Sequence, residues 1–121
     1  MGYTFNDETP IYLQIIEHIK MKIMNKTYMP RQKLPSVREL SFELEVNPNT
    51  VQKALFELEN IGLIYTERTN GKYVTDNETL ITQIKRQTVQ KTVEDFYARM
   101  QKIGIESDEV LKILMDERSK P

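Results

Sequence analysis

Apolar residues recur at spacings of three and four between Pro10 and Asn25, at positions 11, 12, 15, 16, 19, 23 and 24. That spacing predicts an amphipathic helix, and Pro10 suits a first helical turn, where a missing N–H costs nothing. Residues 26–35, KTYMPRQKLP, hold two prolines and no periodicity, and read as a connecting loop. A second helix opens at Ser36, because Ser36 and Glu39 match the S-x-x-E capping box that satisfies orphan backbone donors reciprocally. Val37, Leu40 and Leu44 form its buried edge. Glu45-Val46-Asn47-Pro48 then interrupts it: the residue before a proline avoids the helical region, so Asn47 breaks the chain and caps the next helix. Pro48 becomes the first residue of that third helix, with Val51, Ala54, Leu55, Leu58 and Ile61 on its inner face and Gly62 as its left-handed stop.

Past Gly62 the period changes from helical to extended. LIYTE and KYVT predict two short strands joined by the turn Arg68-Thr69-Asn70-Gly71. From Asp76 the pattern is helical again, with a stripe through Leu80, Ile81, Ile84, Val89, Val93, Phe96, Tyr97, Met100 and Ile103 that ends at Gly104. Ser107 opens a last short helix carrying Val110, Leu111, Ile113 and Leu114. The expected fold is mainly α with a small β wing: a winged helix-turn-helix over residues 1–75, followed by two C-terminal helices over 76–121. Those two helices cannot bury their stripes alone. They need a second chain, or the first helix.

Composition narrows the functional classes. The chain has 121 residues and no cysteine, which excludes disulfides and thiolate metal sites, and its single histidine, His18, excludes a histidine cluster. His18 stands mid-helix among apolar neighbours with no nucleophile or carboxylate pair in a recognisable arrangement. It reads as a partly buried structural histidine, so no enzymatic activity and no cofactor are expected. No apolar run approaches the roughly eighteen residues of a membrane span, and the amino terminus lacks a secretion signal, so a cytoplasmic location is expected. Net charge is −1. Residues 1–75 carry nine basic and nine acidic side chains, and residues 76–121 carry eight and nine. Attraction to nucleic acid would therefore require charge focused on one face.

The head of the third helix offers such a face. A helix that enters the DNA major groove presents its amino-terminal residues to base edges. Asn47, Asn49, Thr50, Gln52 and Lys53 are the right types: Asn and Gln pair bidentately with adenine, and Thr meets a phosphate or a thymine methyl. A helix amino terminus also favours a phosphate. Asn47 and Pro48 serve as cap and start as well, but capping does not account for Asn49, Gln52 and Lys53. Arg38, near the start of the second helix, opposes the helix dipole, which a phosphate partner would explain. Around the wing turn, Arg68, Asn70, Gly71 and Lys72 could reach a DNA backbone or minor groove. A protein-interaction module is the competing reading. Such a module would show exposed aromatics, and the outward side of the third helix is expected to have none.

The stretch LPSVRELSFELEVNPNTVQKALFELENIGLIYTERTNGKYV, residues 34–74, resembles the DNA-binding domain of the GntR family of bacterial transcription regulators. The likeness runs through Leu34-Pro35-Ser36, Arg38-Glu39-Leu40, Thr50-Val51, Ala54-Leu55, Leu58-Glu59, Gly62-Leu63 and Gly71 to Val74. Pro10-Ile11-Tyr12-Leu13-Gln14 and Asn47-Pro48-Asn49-Thr50-Val51 are similar to the YtrA-type subfamily. The resemblance implies a DNA-binding regulator, expected to be a repressor, with Ser36 and Arg38 on the DNA backbone, Asn47 to Lys53 on the recognition helix and Arg68 to Lys72 on the wing tip. It also implies a homodimer on a pseudo-palindromic operator, formed through Val89, Val93, Phe96, Tyr97, Met100, Val110, Leu111 and Leu114. Family members often control transporter genes. Fewer than fifty residues follow the wing, so an effector would have to bind between the dimer helices or at the junction with the DNA-binding domain. The chain departs from the family at Pro48 and Gln52, where guanine-reading arginines are common. It departs again at Lys26, Arg31 and Thr69, where glycines are usual. Arg31 would carry backbone strain there, or add a phosphate contact.

Overall fold

Helix α1 spans Ile11–Met24, with Pro10 at its amino cap, one position before the first helical residue. The computed structural model describes residues 4–68 and 70–119, so Thr69 of the expected wing turn lies outside the described residues. Ile15, Ile16, Ile19 and Ile23 are buried along one face of α1. Gln14 is buried beside them. Its amide donates to the carbonyls of Asn6 at 2.9 Å and Thr9 at 2.8 Å, and its oxygen accepts from the Asn6 N–H at 3.0 Å. A buried amide satisfied in this way ties the segment before α1 to the helix.

Helix α2 runs over Val37–Leu44 and α3 over Pro48–Asn60. The capping box forms as expected: the Ser36 N–H donates to Glu39 Oε1 at 2.9 Å, and the Glu39 N–H donates to Ser36 Oγ at 3.0 Å. Glu45 ends α2 in the left-handed region at φ 57°. Ser41 Oγ then closes the turn by donating to the Val46 carbonyl at 2.6 Å. Asn47 Oδ1 accepts from the Asn49 N–H at 2.8 Å, so α3 begins on a satisfied cap with Pro48 as its first residue. Val51, Ala54, Leu55 and Leu58 are buried where α3 packs on α1, α2 and the first strand.

The inner-face assignment of Ile61 is corrected. Ile61 is 41% exposed, because the helix has ended at Asn60 and the chain reverses at Gly62, whose φ is +86°. Leu63, just past the reversal, is buried. A side chain on Gly62 would be strained by that backbone and would meet Leu80 Cδ2 at 3.2 Å.

Strand β1, Ile64–Glu67, pairs antiparallel with β2, Gly71–Val74, in the register Ile64↔Val74, Tyr65↔Tyr73, Thr66↔Lys72. Gly71 therefore belongs to the strand as well as the turn. The loop before α2 also enters the sheet, which its prolines concealed. Lys33 bridges Tyr73, and the Arg31 and Leu34 N–H groups each donate at 2.8 Å, to the carbonyls of Val74 and Lys72.

Lys26 and Arg31 keep left-handed backbones, at φ 66° and 67°, a conformation that costs a side chain about 1–3 kcal/mol. Each is bound to an acid of the segment after the wing. Lys26 Nζ lies 2.8 Å from Glu78 Oε1, and Arg31 Nη2 lies 2.7 Å from Asp76 Oδ2. The Arg31 hydrogen bond holds the Asp76 carboxyl below its usual range. Strain and ion pair thus occur together at Arg31.

Two helices complete the chain: α4, Glu78–Lys102, and α5, Ser107–Ser119. Asn77 caps α4 by accepting from the Leu80 N–H at 3.1 Å, and Gly104 follows its end at φ +85°. The chain divides into two compact units after Thr82, within α4. In the second unit Val89, Val93, Phe96, Ile103, Leu111, Ile113, Leu114 and Met115 are all exposed, and Tyr97 and Met100 are half-buried. Val110 differs: it is 1% exposed within the single chain and has no surface left for a partner. His18 is half-buried on α1; burial, and next the Lys22 charge, push its pKa below the usual value, with Glu43 opposing.

Candidate nucleic-acid interface

Two open clefts on the winged helix gather most of the residues expected to meet DNA. The first, of about 430 Å³, is walled by Lys33 to Val37 on one side and by Thr66, Glu67, Arg68, Asn70, Gly71 and Lys72 on the other. The second, of about 440 Å³, is lined by Val37, Asn49, Gln52, Lys53, Phe56, Glu59 and Lys72. The clefts share Val37 and Lys72, so the α2 start, the outward face of α3 and the wing surround one region. Arg38, Asn47 and Thr50 line neither cleft. Arg38 is exposed on α2, Thr50 is half-buried, and the Asn47 oxygen is committed to the α3 cap.

The start of α2 keeps one outward donor. Ser36 Oγ accepts the Glu39 N–H, which leaves its hydroxyl proton to donate outward. The Ser36 backbone bond holds the Glu39 carboxyl below its usual range. Glu39 thus stays ionised and the cap stays closed at neutral pH.

The cations of the face differ in their freedom. Among the described residues, Arg38 and Arg68 have no carboxylate within ion-pair distance. Lys53 Nζ sits 3.9 Å from the centroid of the Tyr12 ring, a cation–π contact that restrains the lysine and places α1 against the recognition surface. Lys72 is engaged by an acid. Its Nζ donates to Glu59 Oε1 at 2.8 Å and to Thr66 Oγ1 at 2.9 Å, while Thr66 Oγ1 donates to Glu59 Oε2 at 2.9 Å. Those bonds hold the Glu59 carboxyl below its usual value. With the folded pKa depressed, the contribution of Glu59 to stability is complete above the ordinary carboxylate range and is lost as pH falls through the depressed value.

This geometry predicts the effect of Glu59→Gln. It removes an anion from the face and releases Lys72 to a phosphate. Affinity for every duplex should rise, and the slope of log affinity against log salt should steepen by about one unit. Binding titrations over a salt series measure it; an unchanged slope would mean that Lys72 meets no phosphate.

Sequence reasoning missed four residues of this region: Lys33, Tyr12, Glu59 and Phe56. Tyr12 and Lys33 come from elements remote in sequence and carry no local signal. Phe56 contradicts the expectation that the outward side of α3 has no aromatic: it is 61% exposed there. Its position was legible, since it follows Asn49 by seven residues and Gln52 by four, which places all three on one helical face. On α2, Phe42 is 86% exposed.

The family model for bacterial regulatory proteins, gntR family, matches residues 11–74, which spans α1 through the wing. The chain belongs to the GntR family. It is a DNA-binding transcription regulator, as the α3 and wing residues led one to expect. The chain is similar to the HTH-type transcriptional repressor YtrA of Bacillus subtilis (strain 168), 44% identical over 96 residues and 74% of each chain. It is also similar to a solved GntR family transcriptional regulator from Listeria monocytogenes, at 40% identity and a TM-score of 0.85, over 93% of this chain and 98% of that one. The DNA-binding domain of AraR, solved in complex with operator ORX1, matches at 31% identity and a TM-score of 0.55, covering 62% of this chain and 90% of that one. No helix among the described residues is long and apolar enough to cross a membrane.

Proposed function

We propose that this GntR regulator works in the cytoplasm as a homodimeric repressor, with α3 of each protomer in the major groove of one half of a pseudo-palindromic operator. The observation that carries the reading is the exposed row Asn49, Gln52 and Lys53 on α3, set in one concave region with Lys72 of the wing. Asn49 and Gln52 supply bidentate partners for adenine, and Lys53 a donor for guanine. Ser36, Arg38, Arg68, Asn70 and the backbone at Gly71 surround that row and hold phosphates. The operator complex of the AraR domain supports a duplex partner, and the likeness to YtrA supports repression. The exposed apolar stripe of α4 and α5 supports association of two chains, through Val89, Val93, Phe96, Tyr97, Met100, Leu111 and Leu114. Control of transporter genes follows from family habit alone.

Selection of bound duplexes from a random library at two salt concentrations tests this function. The expected result is an inverted repeat with half-sites about one helical turn apart or more. Salt-sensitive retention without a motif would reduce the protein to a backbone binder. No retention by folded protein would favour a winged-helix module for protein contacts. On a selected operator, Gln52→Ala and Lys53→Ala should each lose discrimination by about 1–3 kcal/mol. Arg38→Ala should instead weaken all duplexes alike and make the salt slope shallower by about one. If Arg38→Ala left every affinity unchanged, α2 would not lie on the backbone.

A further inference from the structure

Phe56 stands among the polar groups proposed above to meet DNA, yet it can form no hydrogen bond. It is 61% exposed and lines the same cleft as Asn49, Gln52, Lys53 and Lys72. The spacing 49, 52, 53, 56 places it on the recognition row, seven residues and about 10 Å along the axis from Asn49. That length is close to the roughly 12 Å width of the major groove and to a run of about three base pairs. A helix that sets Asn49 and Gln52 against base edges therefore carries the Phe56 ring to base edges as well.

Among major-groove edges, the apolar feature is the thymine C5-methyl; the other groups are hydrogen-bond donors and acceptors. An aromatic ring gains by covering that methyl and loses by covering a polar edge that water would otherwise satisfy. Its neighbours argue against a protein partner as occupant. Gln52, Lys53, Lys72 and Glu59 line the same cleft as the ring, and an interface core is depleted in charge. Resting on the operator reading above, we propose that Phe56 is a specificity-determining residue that reads the C5-methyl of one thymine in each half-site. What Phe56 reads is the methyl itself, a group that hydrogen bonds from Asn49, Gln52 and Lys53 to base edges do not sense.

The experiment uses the full chain and Phe56→Ala in parallel library selections. Each thymine of the selected operator is then replaced, one at a time, by deoxyuridine, which deletes only the methyl. One thymine per half-site should weaken wild-type binding roughly fourfold on loss of its methyl, the factor that one buried methyl-sized group supplies. Phe56→Ala should bind thymine and deoxyuridine duplexes equally, and its selected motif should relax at that position. Phe56→Leu, which keeps an apolar end, should retain part of the preference. Deoxyuridine effects of the same size in wild type and Phe56→Ala, or identical selected motifs, would overturn the proposal while leaving operator binding intact. Retention of no duplex by the wild type would overturn both. Because Phe56 lies outside the core, matched thermal melting of the variants verifies that folding is not what changes.

Discussion

Leu58→Ala is expected to lower the stability of the winged helix by about 2–5 kcal/mol, the range for a leucine deleted from a packed core. Leu58 is 0% exposed and lies on α3, the helix that packs against α1, α2 and β1 together. Its loss therefore opens a cavity in the core under α3, and a packed core relaxes only partly into such a space. Against a total stability of about 5–15 kcal/mol for a domain, that deletion leaves a substantial unfolded fraction at modest denaturant. Urea titration should show the midpoint moving with an unchanged slope. A saturating duplex should restore part of the loss, because DNA binds the folded chain and pulls the equilibrium toward it. A cost below about 1 kcal/mol would mean that α3 is not held by this core. The placement of Asn49, Gln52 and Phe56 would then need another support.

Local rules account for what the sequence made legible. The Ser36–Glu39 box, the Asn47 cap before Pro48 and the glycine stops at 62 and 104 are each decided within four or five residues. Each stands where its chemistry requires. The strand pair was readable because period two replaces period 3.6 directly after Gly62. What escaped depends on distant partners. Lys33 joins the sheet through Tyr73, forty residues on, and the prolines flanking it suggested only a loop. Lys72 reads as a free wing cation until Glu59 is found 2.8 Å away. Val110 and Leu111 are adjacent apolar residues with opposite environments, a distinction that the α5 pattern alone does not make. Ile61 fits the inner stripe by count, but the helix ends before it. The residues proposed to meet DNA were chosen by type and position, while Phe56 was passed over because its type did not suit the expected role.

Phe96→Asp is expected to leave folded monomers that have lost most operator affinity. Val89, Val93, Phe96, Met100 and Ile103 follow one another at intervals of four, three, four and three. That is the 3.5-residue repeat of a helix whose seam faces another helix, steeper than the 3.6 period of a helix lying on a core. Phe96 is the middle position, 37% exposed and packed edge-on against Tyr97 with ring centroids 5.9 Å apart. A carboxylate there would be buried without a cation opposite it on two-fold pairing, since the same substitution arrives from both chains. In the monomer the same carboxylate stays wet, so folding should survive and circular dichroism should match wild type. In the proposed homodimer, splitting the pair turns two-site binding into one-site binding, with a loss of about 10²–10⁴-fold on the full operator. Affinity for an isolated half-site should stay unchanged. Sedimentation equilibrium and half-site titration together check the account. A variant that still sediments as a dimer would remove the α4 seam from the interface and shift the burden to Leu111 and Leu114. A variant that sediments as a monomer yet binds the full operator normally would show that operator affinity does not depend on pairing.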